Sequence, residues 1–135
     1  MAFFEWTPNL SVGLDTVDRQ HRMLIGFINE LDDAVTQGKH VDTLRRIMFG
    51  LRNYTKVHFA FEEGMFKVYR YEQGEDHAFG HRAFIAAIEQ FERRQASGDP
   101  GVASELLEFL KAWLSDHILI EDKAYAAVLI ERGAC

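Results

Sequence analysis

The chain of 135 residues has one cysteine, Cys135, and it is the last residue. No intrachain disulfide can form, and a metal cage built from thiolates is excluded. Proline is nearly as scarce: Pro8 and Pro100 are the only two, and both fall outside any helical pattern. Long apolar runs are missing as well. The longest, Ala124 to Ile130, has seven residues, against the roughly 18 or more of a membrane span. Positive charge is in deficit, with 15 Lys and Arg against 21 Asp and Glu and a net charge of −6. A domain with that balance lacks the basic footprint of a nucleic-acid binder. Met1 to Leu10 has no basic stretch followed by an apolar one. No secretory leader or membrane insertion is therefore expected, and the expected location is the cytoplasm.

What is present is ordinary globular composition, 47% hydrophobic and 27% charged, at a length that suits one domain over residues 1–135. Apolar residues recur at helical spacing, and no alternating segment suggests a strand. Residues before about Asp15 read as an ordered N-terminal arm, with Phe3, Phe4 and Trp6 available to pack on a core. A first helix starts between Thr16 and Asp18, buries Leu24, Ile28, Leu31 and Val35, and ends at Gly38. A second starts around Val41 to Thr43 and stops near Gly64 to Lys67. Its face is Leu44, Ile47, Leu51, Tyr54, Phe61 and Met65. Glu75 and Asp76 suit the first turn of a third helix, whose face is Phe84, Ile88 and Phe91. The fourth carries Leu106, Leu110 and Trp113, and a short C-terminal helix spans about Ile120 to Ile130. The expected fold is all-α. Short connections between such helices imply an antiparallel up-down-up-down four-helix bundle.

Five of the six histidines extend these apolar seams. His21 precedes Leu24, His58 follows Tyr54, His77 and His81 lead into Phe84, and His117 follows Trp113. Only His40 lies apart, in the Gly38–His40 turn, where exposure is expected. One histidine on an apolar face is usually a buried polar group with an ordinary partner. Five in one hydrocarbon core are a different matter, because each unpaired ring costs roughly 1–3 kcal/mol. A shared metal centre removes that penalty. The spacing agrees: His77 with His81 and His58 with Glu62 are each four residues apart, on one helix face. In an antiparallel bundle all five histidines fall at the same end. One further carboxylate is ambiguous. Glu121 is four residues past His117, as a straight helix would choose. Asp122 is five past, about 140° further round, and would need a bend, a π-turn or a new helix. Spacing alone favours Glu121.

Taken together, Asp18-Arg19-Gln20-His21, His58-Phe59-Ala60-Phe61-Glu62-Glu63, His77-Ala78-Phe79-Gly80-His81 and His117-Ile118-Leu119-Ile120-Glu121-Asp122 resemble the hemerythrin family. The resemblance is to the single-domain bacterial hemerythrins, runs over nearly the whole chain and includes the Trp6 arm. It implies two non-haem iron ions joined by a bridging oxo or hydroxo group. One iron would take His77, His81 and His117, the other His21 and His58, with Glu62 and Asp122 bridging them. The resemblance thus chooses Asp122 over Glu121 and implies a helix broken or displaced after His117. Two carboxylate bridges and one oxygen bridge then leave a single open position, on the two-histidine iron, where O2 would bind. Leu24, Phe84, Trp113 and Leu114 each lie one turn from a histidine of the set and should wall that position.

The function so implied is reversible O2 binding, for storage, transport or local delivery, by a protein that is not an enzyme. The expected partners are O2 itself and, as recipient, an oxygen-consuming enzyme, with the chain acting as a monomer. Alternatives are sensing of oxygen, redox state or nitric oxide through a partner protein, and di-iron peroxide or nitric oxide chemistry. Ferritin-like di-iron bundles use Glu-x-x-His pairs, and none occurs here. His-Glu-x-x-His and Cys-x-x-Cys-His are equally absent, which argues against a zinc hydrolase and attached haem.

Overall fold

A computed structural model describes residues 5–38 and 41–134. A single 3-10 turn, Pro8–Leu10, precedes α1 (Asp15–Gln37), α2 (Val41–Val68), α3 (Gly74–Ala96), α4 (Val102–Trp113) and α5 (Lys123–Glu131). Between α4 and α5 the chain winds as a π-helix from Leu114 to Asp122. No strand occurs among the described residues. α1 packs against α2 and α4, and α3 against the same two. The result is an antiparallel four-helix bundle in which α4, the π segment and α5 together form the fourth rod. Phe3, Phe4, His40 and Cys135 lie outside the described residues.

Local chemistry sets the helix ends. α1 begins at Asp15, slightly before the expected start, and Leu14 at its N-cap supplies no side-chain bond. Asp18, one turn in, instead accepts hydrogen bonds from the Ser11 hydroxyl and the Val12 N–H, at 2.5 and 2.8 Å. It ties the arm down rather than capping the helix. Gly38 ends α1 in a left-handed conformation, φ 71°, as a C-terminal glycine does. Trp6 packs on the core, with the Arg22 guanidinium 4.7 Å above its ring. Gly50 brings α1 and α2 close: a Cβ there would meet the Phe27 ring at 2.6 Å.

Apolar side chains form two clusters. The larger includes Leu24, Ile28, Leu51, Tyr54, Phe59, Phe84, Leu110 and Leu114. The smaller gathers Val12, Leu14, Val17, Phe66, Tyr125 and Leu129. Along α1, α2 and the fourth rod, the chain passes from one cluster to the other through His21, through His58 and Glu62, and through His117 and Asp122. A polar layer is therefore held between two hydrophobic ones.

One predicted face needs correction. The buried arc of α2 runs through Leu51, His58 and Glu62 to Phe66, while Phe61 is exposed and Met65 only half-buried. Consecutive helical residues are rotated by about 100°. With Glu62 on the inner face, Phe61 turns outward. The fourth helix is also shorter than its neighbours, because the π segment takes over at Leu114.

Candidate metal centre

His21, His58, Glu62, His77, His81, His117 and Asp122 are all buried, and Glu62 and Asp122 are fully so. They form two overlapping groups, Glu62 with His77, His81 and His117, and Glu62 with His21, His58 and Asp122. Within each group the candidate ligand atoms lie within 4.8 Å of one another. Asp122 reaches both sides. Its Oδ2 is 2.8 Å from His21 Nε2, and its Oδ1 is 3.0 Å from the Nε2 atoms of both His77 and His117. Glu62 Oε1 stands 2.9 Å from His81 Nε2, 3.2 Å from His58 Nε2 and 3.8 Å from His77 Nε2. The π segment is what brings His117 and Asp122 together. Its i→i+5 hydrogen bonding puts residues five apart on one face, so Asp122 points inward. Glu121, which spacing favoured, is left exposed.

The inner atoms lack conventional partners. His21 Nδ1 and Nε2, Glu62 Oε1, the Nε2 atoms of His77, His81 and His117, and both Asp122 oxygens are buried without a hydrogen bond. They crowd one another at short range without hydrogen-bond geometry. At roughly 1–3 kcal/mol each, such a set would offset much of a domain's stability of about 5–15 kcal/mol. Cations between the nitrogens and oxygens would satisfy them together. The donors, imidazole and carboxylate with no thiolate, suit iron. The residues present fit the group.

Outer contacts orient the rings. The Nδ1 of His58 is 2.5 Å from Gln20 Oε1, that of His81 is 2.9 Å from Glu63 Oε2, and that of His117 is 2.9 Å from Glu121 Oε2. Each oxygen accepts the Nδ1 proton, which leaves the Nε2 lone pair facing the cluster. Aromatic plates hold the same three rings. Tyr54 stacks on His58 at 5.2 Å, Phe59 on His81 at 3.8 Å and Trp113 on His117 at 4.0 Å.

The electrostatics match an anionic pair among imidazoles. Burial raises the Glu62 pKa, but the charge of His58 and the close nitrogens of His58, His77 and His81 hold it well below the carboxylate range. Burial and the Glu62 charge likewise oppose ionisation of Asp122, yet the imidazole nitrogens of His117, His21 and His77 close to its oxygens keep it low. His77 moves the other way. Burial lowers its pKa, but Asp122 and Glu62 outweigh that and raise it from 6.5 to about 9.

The family model described as the hemerythrin HHE cation-binding domain matches residues 12–129. The chain belongs to the hemerythrin family. It is 34% identical over 125 residues to the bacteriohemerythrin of Pseudomonas aeruginosa, covering 93% of this chain and 80% of that one. It is 29% identical over 126 residues to the bacteriohemerythrin of Clostridium acetobutylicum, covering 90% and 98%. A crystal structure of a hemerythrin variant superposes with a TM-score of 0.85 over 96% of this chain and 98% of that one. Sequence identity there is 23%, so that likeness speaks for the fold alone. A hemerythrin domain implies binding of non-haem iron, and the two donor groups are where this chain could hold it.

The residues expected to wall an open position all belong to or pack on the larger apolar cluster. Leu24, Phe84 and Leu114 are buried at 0%, 1% and 1% exposure, and half-buried Trp113 sits 4.5 Å from the Phe84 ring. Phe59 joins them, 5.6 Å from Phe84. It was missed because the predicted face of α2 ran through Phe61. Tyr125, whose hydroxyl donates to Glu62 Oε2, was missed too. Its signal was its position one turn beyond Asp122. Gln20, Glu63 and Glu121 sit immediately beside inward-facing residues in the chain. That adjacency could have marked Glu63 and Glu121 as outer partners. It could not have shown that Gln20, next to His21, serves His58.

Proposed function

We propose that the chain binds O2 reversibly at a di-iron centre and serves as a non-enzymatic store, transporter or local supplier of oxygen. The observation that carries this reading is the convergence of orphaned ring nitrogens and carboxylate oxygens in two buried groups that share Glu62. His77, His81 and His117 would hold one ion, His21 and His58 the other, with Glu62 and Asp122 spanning both. When bound, a ferrous pair supplies the electrons and the open coordination position that reversible O2 binding needs.

The chain's own residues do the rest. Gln20, Glu63 and Glu121 hold the Nδ1 protons of His58, His81 and His117, so their Nε2 atoms remain available. The His21 and His58 side has one imidazole fewer, which leaves room for a ligand there. Leu24, Phe84, Trp113 and Leu114 exclude water from that room and favour a small apolar guest. No described helix is long and apolar enough to cross a membrane. We take the working form to be a cytoplasmic monomer that hands oxygen to an oxygen-consuming enzyme.

Anaerobic loading with Fe(II), metal counting, and absorption spectra through cycles of oxygenation and degassing test the reading. Two irons per chain and a reversible colour change are expected. One bound zinc and no colour would overturn it.

A further inference from the structure

The three outer hydrogen bonds differ in charge. His81 Nδ1 donates to Glu63 Oε2 and His117 Nδ1 to Glu121 Oε2, each at 2.9 Å. His58 Nδ1 donates instead to an amide, Gln20 Oε1, at 2.5 Å. A glutamate carboxylate carries a charge at neutral pH and a glutamine amide does not. The two carboxylates serve one side only. His77, His81 and His117 belong to one donor group, His21 and His58 to the other. His21 has no outer acceptor, since its Nδ1 is buried without a hydrogen bond. One group is thus backed by two anionic acceptors, the other by a single neutral one.

The charge of an acceptor is felt across the ring. A carboxylate on Nδ1–H draws the proton, pushes electron density toward Nε2 and makes that nitrogen a stronger donor to a cation. A neutral carbonyl does so less. Both orient the ring, so orientation alone does not distinguish the two groups.

We propose that the charge of these acceptors ranks the two metal sites. Glu63 and Glu121 make the three-histidine group the first to fill, and Gln20 leaves the two-histidine group the second. The proposal rests on the di-metal reading of the site. The third imidazole favours the same order, and the acceptors add to it. All three are positioning residues whose charge also sets affinity. A chain short of metal therefore holds its one ion on the three-histidine side, and the side with room for a ligand is completed last.

Exchange of the acceptors tests this, because Glu and Gln share a shape. The double variant Gln20→Glu with Glu63→Gln keeps both the imidazole count and the net charge. Co(II) is the probe: it accepts the same nitrogen and oxygen donors, and shifted ring N–H proton resonances report which histidines are bound. Anaerobic titration of wild type is expected to fill two sites in two steps. The His81 and His117 resonances should shift in the first and that of His58 in the second. In Glu63→Gln the first dissociation constant should rise about 10–100-fold with the second little changed. The double variant should narrow the gap between the steps further. An unchanged gap there would mean that the imidazole count alone ranks the sites, and would overturn the proposal. A His58 resonance that shifts in the first step of the wild-type titration would overturn it too. A wild type that binds only one ion would instead overturn the di-metal reading. Far-UV circular dichroism checks folding. Should Glu63→Gln not fold, Glu121→Gln replaces it in the single and the double variant, with the same expected outcomes.

Discussion

His117 and Asp122 are five residues apart, and His117 Nε2 lies 3.0 Å from Asp122 Oδ1. On an α-helix that separation would leave the two side chains about 140° apart. The π segment from Leu114 to Asp122 removes the offset. It also frees Glu121 for a different task, since its carboxylate reaches the outer nitrogen of the same histidine at 2.9 Å. Two adjacent acidic residues thus serve opposite edges of one imidazole.

Substitution should separate the two roles. Asp122→Asn keeps the shape but replaces the carboxylate that lies between His21, His77 and His117 with a neutral amide, and if it bridges two ions as proposed, iron content is expected to fall below two per chain. Glu121→Gln keeps an acceptor for the Nδ1 proton and should still take up two irons, with affinity weakened by no more than about 10–100-fold. Metal counting after desalting checks both. Equal iron loss in the two variants would contradict the division of labour.

Much of this arrangement was legible in the sequence because helical periodicity carries it. His21, His58, His81 and His117 each continue a seam whose apolar members are plain, so their convergence at one end follows from antiparallel packing. Asp122 was not legible in that way. A π-helix arises from backbone winding that side-chain periodicity does not encode, and the family resemblance alone pointed past Glu121. The Phe61 error has a related origin. Hydrophobicity marks a residue as suited to burial, but the inner arc of α2 is fixed by Leu51, His58 and Glu62, a charged residue that hydropathy would place outside. The pairing of Gln20 with His58 crosses from α1 to α2 and depends on helix rotation.

Leu24 is completely buried one turn beyond His21. Leu24→Ser places a hydroxyl where water was excluded, and should shorten the lifetime of the oxygenated protein in air. Truncation of such a residue to alanine typically removes about 2–5 kcal/mol of stability, so the serine variant should also melt earlier. Time courses of the visible spectrum measure the first effect and thermal unfolding the second. An unchanged oxygenated lifetime would remove Leu24 from the protective wall.

The raised pKa of His77 gives the metal-free protein a distinct pH profile. A group whose folded pKa of about 9 exceeds its ordinary 6.5 stabilises the fold fully below the lower value. That contribution is lost as pH rises through the higher one. Glu62 and Asp122, held low by the surrounding histidines, stabilise above the ordinary carboxylate pKa and lose that contribution as pH falls. Melting temperature in the presence of chelator should therefore decline between about pH 7 and 9 and again in acid. With metal bound the histidines are already deprotonated, so the decline on the alkaline side should disappear. A flat alkaline limb without metal would contradict the His77 pairing.

His21 offers the clearest separation of function from stability. Both of its ring nitrogens are buried without hydrogen bonds, so in metal-free protein the residue carries an unfavourable term of roughly 1–3 kcal/mol per unsatisfied atom. His21→Leu replaces it with hydrocarbon between two apolar clusters. The metal-free variant is expected to melt above metal-free wild type. Metal addition should reverse the order. Ions that bind only the folded wild type stabilise it by about 2.7 kcal/mol at a free concentration one hundred times the dissociation constant, while the variant has lost a donor and gains less. His40→Ala serves as the control and should keep two irons and the full metal-induced rise in melting temperature. If metal-free His21→Leu melts below wild type, the orphaned nitrogens are not a burden that a metal relieves. If His40→Ala loses iron, the donor set itself is wrong.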